Sequence, residues 1–295
     1  MRGPGWKWPH SAGLIALAVT IGACAGAPVP AGRDLPAPPE LEVRYVANEG
    51  FLVDGAGKRV LIDGLVGEIS GYVGLPEEIR GPLEEGTGEW RGVDVAIASH
   101  HHPDHFDADS VVRFLEANPQ ATFVSTRQAV ALVESAARDT AHLLARVRAV
   151  LPAEGEVERI EVEGIEIELL NLHHGRRSPP VENLGIVVSV GGLRFLHFGD
   201  TEAKMETFEP YLDTLRGTDL ALLPFWFLSS EWRAEMVRDE IRPRWMVVGH
   251  MPTPDAPAGR FARWRSYENL VSVIEAAFPA ARFPGEPGER YRYRL

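Results

Sequence analysis

The sequence predicts an α/β fold in one domain, which begins at residue 41 and ends at residue 295. Apolar or alternating runs separated by Gly, Asn and Asp come first, and they predict an antiparallel meander of strands at 41–46, 50–53 and 59–63. Strand and helix patterns then alternate from residue 93 to residue 149, as expected where helices pack on the outside of a sheet. The length suits one unit with two sheets.

The spacing of apolar residues places the elements after the meander. Val111, Val112, Phe114 and Leu115 recur at helical spacing, for example, whereas strands are bounded by turn residues such as Gly191 and Gly192. The predicted strands are 93–99, 122–125, 219–223 and 245–248, the hairpins are 157–172 and 184–198, and the helices are 108–118, 128–149, 231–241 and 264–278.

Residues 1–23 predict a secretory signal peptide, because Arg2 and Lys7 precede an apolar stretch that is too short for a stable membrane span. The sequence Ile21 to Cys24 resembles the bacterial lipoprotein box, in which the cysteine is lipidated. This resemblance implies a lipid on Cys24, the only cysteine, and a location in the cell envelope, in the periplasm or on a membrane facing it. An ordinary signal peptide with an incidental cysteine is the alternative. Residues 24–40, rich in Pro, Ala and Gly, predict a flexible tether.

The charge of the chain argues against a nucleic-acid partner. The formal net charge is −12 and the sequence pI is about 5.3. Binding to a phosphate backbone usually needs a basic face. We therefore expect a small-molecule or lipid substrate, together with a membrane reached through Cys24.

Residues 99–105 (SHHHPDH) concentrate four histidines and one aspartate directly after a buried strand. Neutral imidazole and carboxylate groups are common metal ligands, and a structural turn does not need so many of them. His100 and His102 are spaced to reach one ion together, while Asp104 and His105 project towards a second ion. The sequence therefore predicts a site for two metals, with a chance surface run of histidines as the alternative.

Polar residues at other strand ends are further candidate ligands. His173 and His174 follow the first hairpin, and strand alternation can turn only one of them inward. Asp200 and His250 each follow a strand and a glycine. Asp63 ends the meander, where it would either accept a hydrogen bond from a ligand histidine or cap a turn.

Three other features are not assigned to the metal site. His142 and His197 lie in apolar surroundings and are expected to be structural or, for His142, solvent-facing. Residues 225–228 (FWFL) would either line an acyl or aromatic pocket or belong to the core.

The pattern His-x-His-x-Asp-His, filled by His100, His102, Asp104 and His105, resembles the signature of the metallo-β-lactamase superfamily. His174, Asp200 and His250 come later in the chain, in the order in which the superfamily places its remaining ligands. The resemblance implies an αββα four-layer sandwich, with two sheets face to face, helices outside and the metals at one edge between the sheets.

The resemblance also implies a ligand set. One ion would be held by His100, His102 and His174, and the other by Asp104, His105 and His250, with Asp200 between them. His174 is favoured over His173 because the superfamily's ligand commonly stands directly before a glycine. Zinc is expected, although Mn²⁺ or Fe²⁺ also suits the second position. Asp104 is in addition the expected catalytic residue, and His101 is a bystander.

The implied function is that of a binuclear metal-dependent hydrolase of an ester, lactone, amide or phosphodiester. The chain looks closest to the branch that includes ascorbate-6-phosphate lactonase and N-acylphosphatidylethanolamine phospholipase D. One alternative is therefore a phospholipase-D-like phosphodiesterase acting on envelope lipids. A second alternative is a noncatalytic lipoprotein that binds a metal or a partner on the same fold.

Overall fold

The computed structural model describes residues 38–137, 140–175, 180–202, 204–257 and 263–295. The predicted signal peptide, Cys24 and nearly all of the predicted tether lie outside these residues. Within them, no helix is long and apolar enough to cross a membrane.

Thirteen strands are present in the described residues: β1 (Glu40–Ala47), β2 (Gly50–Gly55), β3 (Lys58–Ile62), β4 (Val95–Ala98), β5 (Thr122–Ser125), β6 (Val147–Ala149), β7 (Val157–Val162), β8 (Ile165–Asn171), β9 (Leu184–Val190), β10 (Leu193–His197), β11 (Leu220–Pro224), β12 (Trp245–Gly249) and β13 (Arg290–Arg294). The described helices are α1 (Glu77–Glu85), α2 (Ala108–Ala117), α3 (Arg127–Ala136), α4 (Met205–Phe208), α5 (Leu212–Leu215), α6 (Phe225–Leu228), α7 (Glu231–Glu235) and α8 (Tyr267–Ala277).

The strands form two sheets, ordered β13-β1-β2-β3-β4-β5-β6 and β12-β11-β10-β9-β8-β7. The inner faces of the sheets share one apolar core, which includes Phe51, Ile62, Ile186 and Phe195. A second apolar cluster joins the outer face of the seven-stranded sheet to α1 to α3, and a third joins the outer face of the six-stranded sheet to α4 to α8. The predicted αββα sandwich is confirmed.

The helix predicted over 128–149 is shorter than expected. Helix α3 ends at Ala136, a 3₁₀ helix covers Ala141–Arg146, and residues 147–149 become β6 by pairing in parallel with β5. Arg146 accounts for this change of direction, because its guanidinium donates hydrogen bonds to the carbonyls of Leu115, Asn118 and Ala121 at the end of α2.

The topology brings the ends of five strands to the same edge of the sandwich. β3 and β4 are parallel neighbours in one sheet, and β8, β10 and β12 run in one direction in the other. The segment after each of these strands carries a candidate ligand or Asp63. Polar side chains that are far apart in sequence therefore converge where the strands end.

Candidate metal centre

Two groups of side chains at this edge have the geometry of metal sites. The first group is His100, His102, His174 and Asp200, and the second is Asp104, His105, Asp200 and His250. Within each group the potential ligand atoms all lie within 4.8 Å of one another. The structure therefore brings together all seven residues expected from the sequence to be ligands, in the two expected sets.

Asp200 belongs to both groups because its two carboxylate oxygens face different histidines. Oδ2 lies 3.5 Å from His174 Nε2, whereas Oδ1 lies 3.2 Å from His105 Nε2 and 3.1 Å from His250 Nε2. Asp104 Oδ2 completes the second group, at 3.3 Å from His250 Nε2. A carboxylate in this position can bridge two cations.

Several of these buried atoms lack a hydrogen bond of acceptable geometry. They are His105 Nε2, Asp200 Oδ1 and both ring nitrogens of His174 and His250. Buried polar atoms without partners are costly, and so many of them in one place indicate a ligand that the chain itself does not supply. The donor set of nitrogens and carboxylate oxygens fits divalent cations such as zinc.

Asp63 holds the second group from behind. Its Oδ2 lies 2.7 Å from His105 Nδ1 and accepts a hydrogen bond of 2.6 Å from the Ser99 hydroxyl. Its Oδ1 accepts a hydrogen bond of 2.6 Å from the Ser99 amide. The contact with His105 keeps a proton of that histidine on Nδ1 and leaves Nε2, which faces Asp200, as the nitrogen that a metal can bind. Of the two interpretations that the sequence left open, the geometry favours the one in which Asp63 orients a ligand.

Ser99 also orients the first group. Because its hydroxyl donates to Asp63, that hydroxyl accepts from His100 Nδ1, which lies 3.0 Å away. The unprotonated Nε2 of His100 then faces His102 Nδ1 at 3.0 Å. Two imidazole nitrogens at this separation are within reach of a single ion.

The adjacent histidines after β8 take opposite directions. His174 is buried and joins the first group, whereas His173 is exposed and lies 3.2 Å from Glu154 Oε1. The geometry therefore agrees with the choice of His174.

The charges of the site favour cations. Burial would lower the pKa of His105, but the charge of Asp200 and the hydrogen bond to Asp63 outweigh it and raise that pKa well above its ordinary value. Burial likewise opposes ionisation of Asp200, yet His250 and His105 hold its pKa well below the usual range. The pKa of His250 is raised against the effect of burial, mainly by Asp200. In the metal-free protein, protons on the second group thus occupy places that cations would take.

His100 differs from these two histidines. Burial, together with the positive charge of His105, lowers its pKa well below the ordinary value. It is therefore neutral near pH 7, which is the form that binds a metal.

Sequence reasoning missed the turn between β1 and β2, which braces the second group. The Asn48 amide donates to the Asp104 carbonyl at 3.2 Å and lies 3.4 Å from its carboxylate, and the Asn48 carbonyl accepts from the His250 amide at 3.0 Å. An Asn-Glu-Gly sequence between two strands predicts only a turn, and no local signal indicates these distant partners.

Glu49, the next residue, is fully buried, and neither of its carboxylate oxygens has a hydrogen-bond partner. Burial raises the pKa of this carboxyl well above its usual range. Its backbone carbonyl accepts from His197 Nε2 at 2.9 Å, while His197 Nδ1 accepts from Gly199 at 3.1 Å. His197 is thus a buried structural residue that connects this turn to the segment carrying Asp200.

His101, His142 and residues 225–228 do not contribute to either group of candidate ligands. His101 is partly buried and belongs to neither group, and His142 is exposed. Residues 225–228 form α6, with Phe225, Phe227 and Leu228 in the core. Trp226 alone is partly exposed, and its ring lies 4.9 Å from that of His250.

The family model for the beta-lactamase superfamily domain matches residues 58–262, more than half of the chain. The chain belongs to this superfamily. A metal-dependent hydrolase of Korarchaeum cryptofilum is 31% identical over 186 residues, which cover 62% of this chain and 70% of that protein.

Solved structures of the superfamily share the fold. A metallo hydrolase from Ignicoccus hospitalis superposes with a TM-score of 0.56 at 17% identity, covering 87% of this chain and 99% of its own. The metallo-beta-lactamase fold protein YhfI from Bacillus subtilis gives a TM-score of 0.57 at 14% identity, covering 86% and 100%. The superfamily match begins at β3 and ends beyond β12, so it includes every residue of both groups.

Proposed function

We propose that this metal-dependent hydrolase of the beta-lactamase superfamily is a binuclear enzyme. His100, His102 and His174 would hold one divalent ion, and Asp104, His105 and His250 the other. The observation that carries the proposal is the orientation of Asp200, whose two oxygens are directed at the two histidine groups. Zinc suits the nitrogen-rich first group, and manganese or iron also suits the second.

Two divalent cations held by these groups would acidify a water molecule and polarise the bond under attack. The residues of the chain then have separate tasks. Four of the ligand histidines are buried, and His102 is partly buried. Of the two carboxylates, Asp104 is the more exposed, at 24% of its side chain against 16% for Asp200, so it is the one more open to an incoming substrate. It can accept a proton from the attacking water and pass it to the leaving group.

The charge of Asp104 suits this task. Burial would raise its pKa, but the contact with His250 and the charge of His105 lower it below the usual value. Asp104 is therefore an anion at rest and carries a proton only during the reaction.

The substrate would contain an ester, lactone, amide or phosphodiester bond. The decisive experiment is a panel of lactones, β-lactams, carboxylic esters and phosphodiesters, assayed with zinc-loaded and manganese-loaded protein. Turnover of one bond class, abolished by chelation and restored by the metal, supports the proposal. Absence of turnover across the panel in protein that holds two ions favours the noncatalytic alternative.

We further propose that the enzyme acts in the cell envelope, held by a lipid on Cys24. The support comes from the sequence alone, since a single cysteine follows a signal-like stretch and precedes a Pro-rich segment. A phospholipase-D-like activity on envelope lipids is the second candidate function. It is favoured by the partly exposed Trp226 beside His250, and phosphatidylethanolamine vesicles in the same panel test it.

A further inference from the structure

Two aromatic rings contact the ring of His250. Tyr72, in the connection between β3 and α1, lies 4.3 Å from it between ring centroids, and Trp226 of α6 lies 4.9 Å from it. Both contacts are edge-to-face, with interplanar angles of 79° and 66°. His250 is 3% exposed, whereas Tyr72 and Trp226 are both partly exposed. Apolar ring surface therefore meets solvent directly beside the second group of ligands.

Both rings are held in place by the segments that carry the ligands. The indole N–H of Trp226 donates to the carbonyl of Thr201, the residue after Asp200, at 3.2 Å. Tyr72 forms an isolated antiparallel bridge with Pro252, two residues after His250. The positions of both rings are therefore coupled to the segments that carry Asp200 and His250.

Trp226 belongs to a row of aromatic contacts. Trp226 contacts Phe225 at 5.4 Å between ring centroids, and Phe225 contacts the partly exposed Trp264 at the same distance. A separate hollow, lined by polar residues that include Glu154, His173, Glu202 and Lys204, contains none of the candidate ligands.

We propose that Tyr72 and Trp226 form a subsite for a bulky apolar group of the substrate, the size of a ring, held next to the bond that is cleaved and on the His250 side. The proposal rests on the metal centre proposed above. Packing a ring against two fixed aromatic side chains removes apolar surface from water and adds ring-to-ring contacts. Together these effects correspond to a preference of about tenfold or more for a ring over a methyl group.

The test needs no knowledge of the substrate. Acetohydroxamate and benzohydroxamate chelate metals through the same group and differ in carrying a methyl or a phenyl substituent. Their affinities for the metal-loaded protein are measured by calorimetry. The unmodified protein should bind benzohydroxamate about tenfold more tightly or better. Trp226→Ala and Tyr72→Ala should each reduce that ratio at least about threefold. The ratio is the readout because any change at His250 itself affects both hydroxamates alike.

Trp232→Ala is the matched control, because Trp232 is 41% exposed and its ring packs against the guanidinium of Arg233. It should keep the ratio of the unmodified protein. If circular dichroism shows that Trp226→Ala does not fold, the affinity ratio of the two hydroxamates is measured in Trp226→Leu and Tyr72→Ala instead.

The possible failures are distinguishable. If acetohydroxamate binds and the ratio is unchanged in both variants, the subsite is overturned while the metal centre stands. If neither hydroxamate binds to protein incubated with zinc, the metal centre itself is overturned, and the subsite with it.

Discussion

Asp63→Asn should weaken the second metal position selectively. Asp63 Oδ2 accepts from both the Ser99 hydroxyl and His105 Nδ1, at 2.6 and 2.7 Å, in a fully buried setting. In the variant, the retained oxygen can still accept from the Ser99 amide, but an NH₂ group replaces Oδ2. That NH₂ cannot accept from His105 Nδ1, so the proton of His105 has to move to Nε2.

The displaced proton would then lie where the ion needs a lone pair, because His105 Nε2 faces Asp200 Oδ1 at 3.2 Å. Loss of a residue that orients a metal ligand typically costs about 10- to 100-fold in metal affinity, or about 1.4 to 2.7 kcal/mol. The first group should lose less affinity than the second, since Ser99 Oγ can still accept from His100 Nδ1 although it no longer has Asp63 Oδ2 to donate to.

Chelator competition on metal-free protein measures both affinities. Asp219→Asn is the matched control, because Asp219 is also a largely buried carboxylate that accepts a backbone hydrogen bond, from Arg194 at 2.9 Å. It should leave both metal positions unchanged. The reasoning is refuted if Asp63→Asn leaves the second affinity within about threefold of the unmodified protein, or weakens both positions equally.

Three further predictions concern catalysis, pH and location. Asp104→Asn with both ions retained should lower kcat by about 10² to 10⁴ on the substrate identified, whereas His101→Ala should change kcat little. Equal steady-state rates for Asp104→Asn and the unmodified protein would contradict the role given to Asp104. Because their pKa values are raised in the metal-free protein, His105 and His250 stabilise the fold below their ordinary pKa, and this contribution is lost as pH rises through the raised values. Metal binding at the second position must displace these protons, so the metal affinity of the second position should fall on acidification more steeply than that of the first. Calorimetry in buffers of different ionisation enthalpy measures the protons released at each position, and equal release at the two positions would contradict this prediction. Cys24→Ala should release the chain from membranes on cell fractionation, and a mature N-terminus without lipid in the unmodified protein, found by mass spectrometry, would count against the anchor.

Much of the candidate site follows from local patterns. His100 to His105, Asp200 and His250 stand directly after buried strands, and a strand end places a polar side chain at a sheet edge whatever the rest of the chain does. Sequence could not choose between the two roles of Asp63, since only the three-dimensional proximity of Ser99 and His105 decides it.

Long-range partners account for what was missed. The hydrogen bond from Asn48 to Asp104 joins residues 56 positions apart along the chain. Tyr72 lies beside His250 because the segment before α1 forms a bridge with the segment after β12. The error over 128–149 has the same origin, because Arg146 is held by carbonyls of α2 and not by residues of its own segment. Strand β13 was not predicted either. Its alternating Arg and Tyr residues are explained by antiparallel pairing with β1, which lies at the other end of the domain in sequence.

The number of metal ions per chain tests the central claim most directly. The measurement is elemental analysis of protein produced with excess zinc or manganese and freed of loosely bound metal. Two ions per chain are expected, with His250→Ala reduced to one because only the second group loses a ligand. A value of one ion or fewer in the unmodified protein would contradict the binuclear centre.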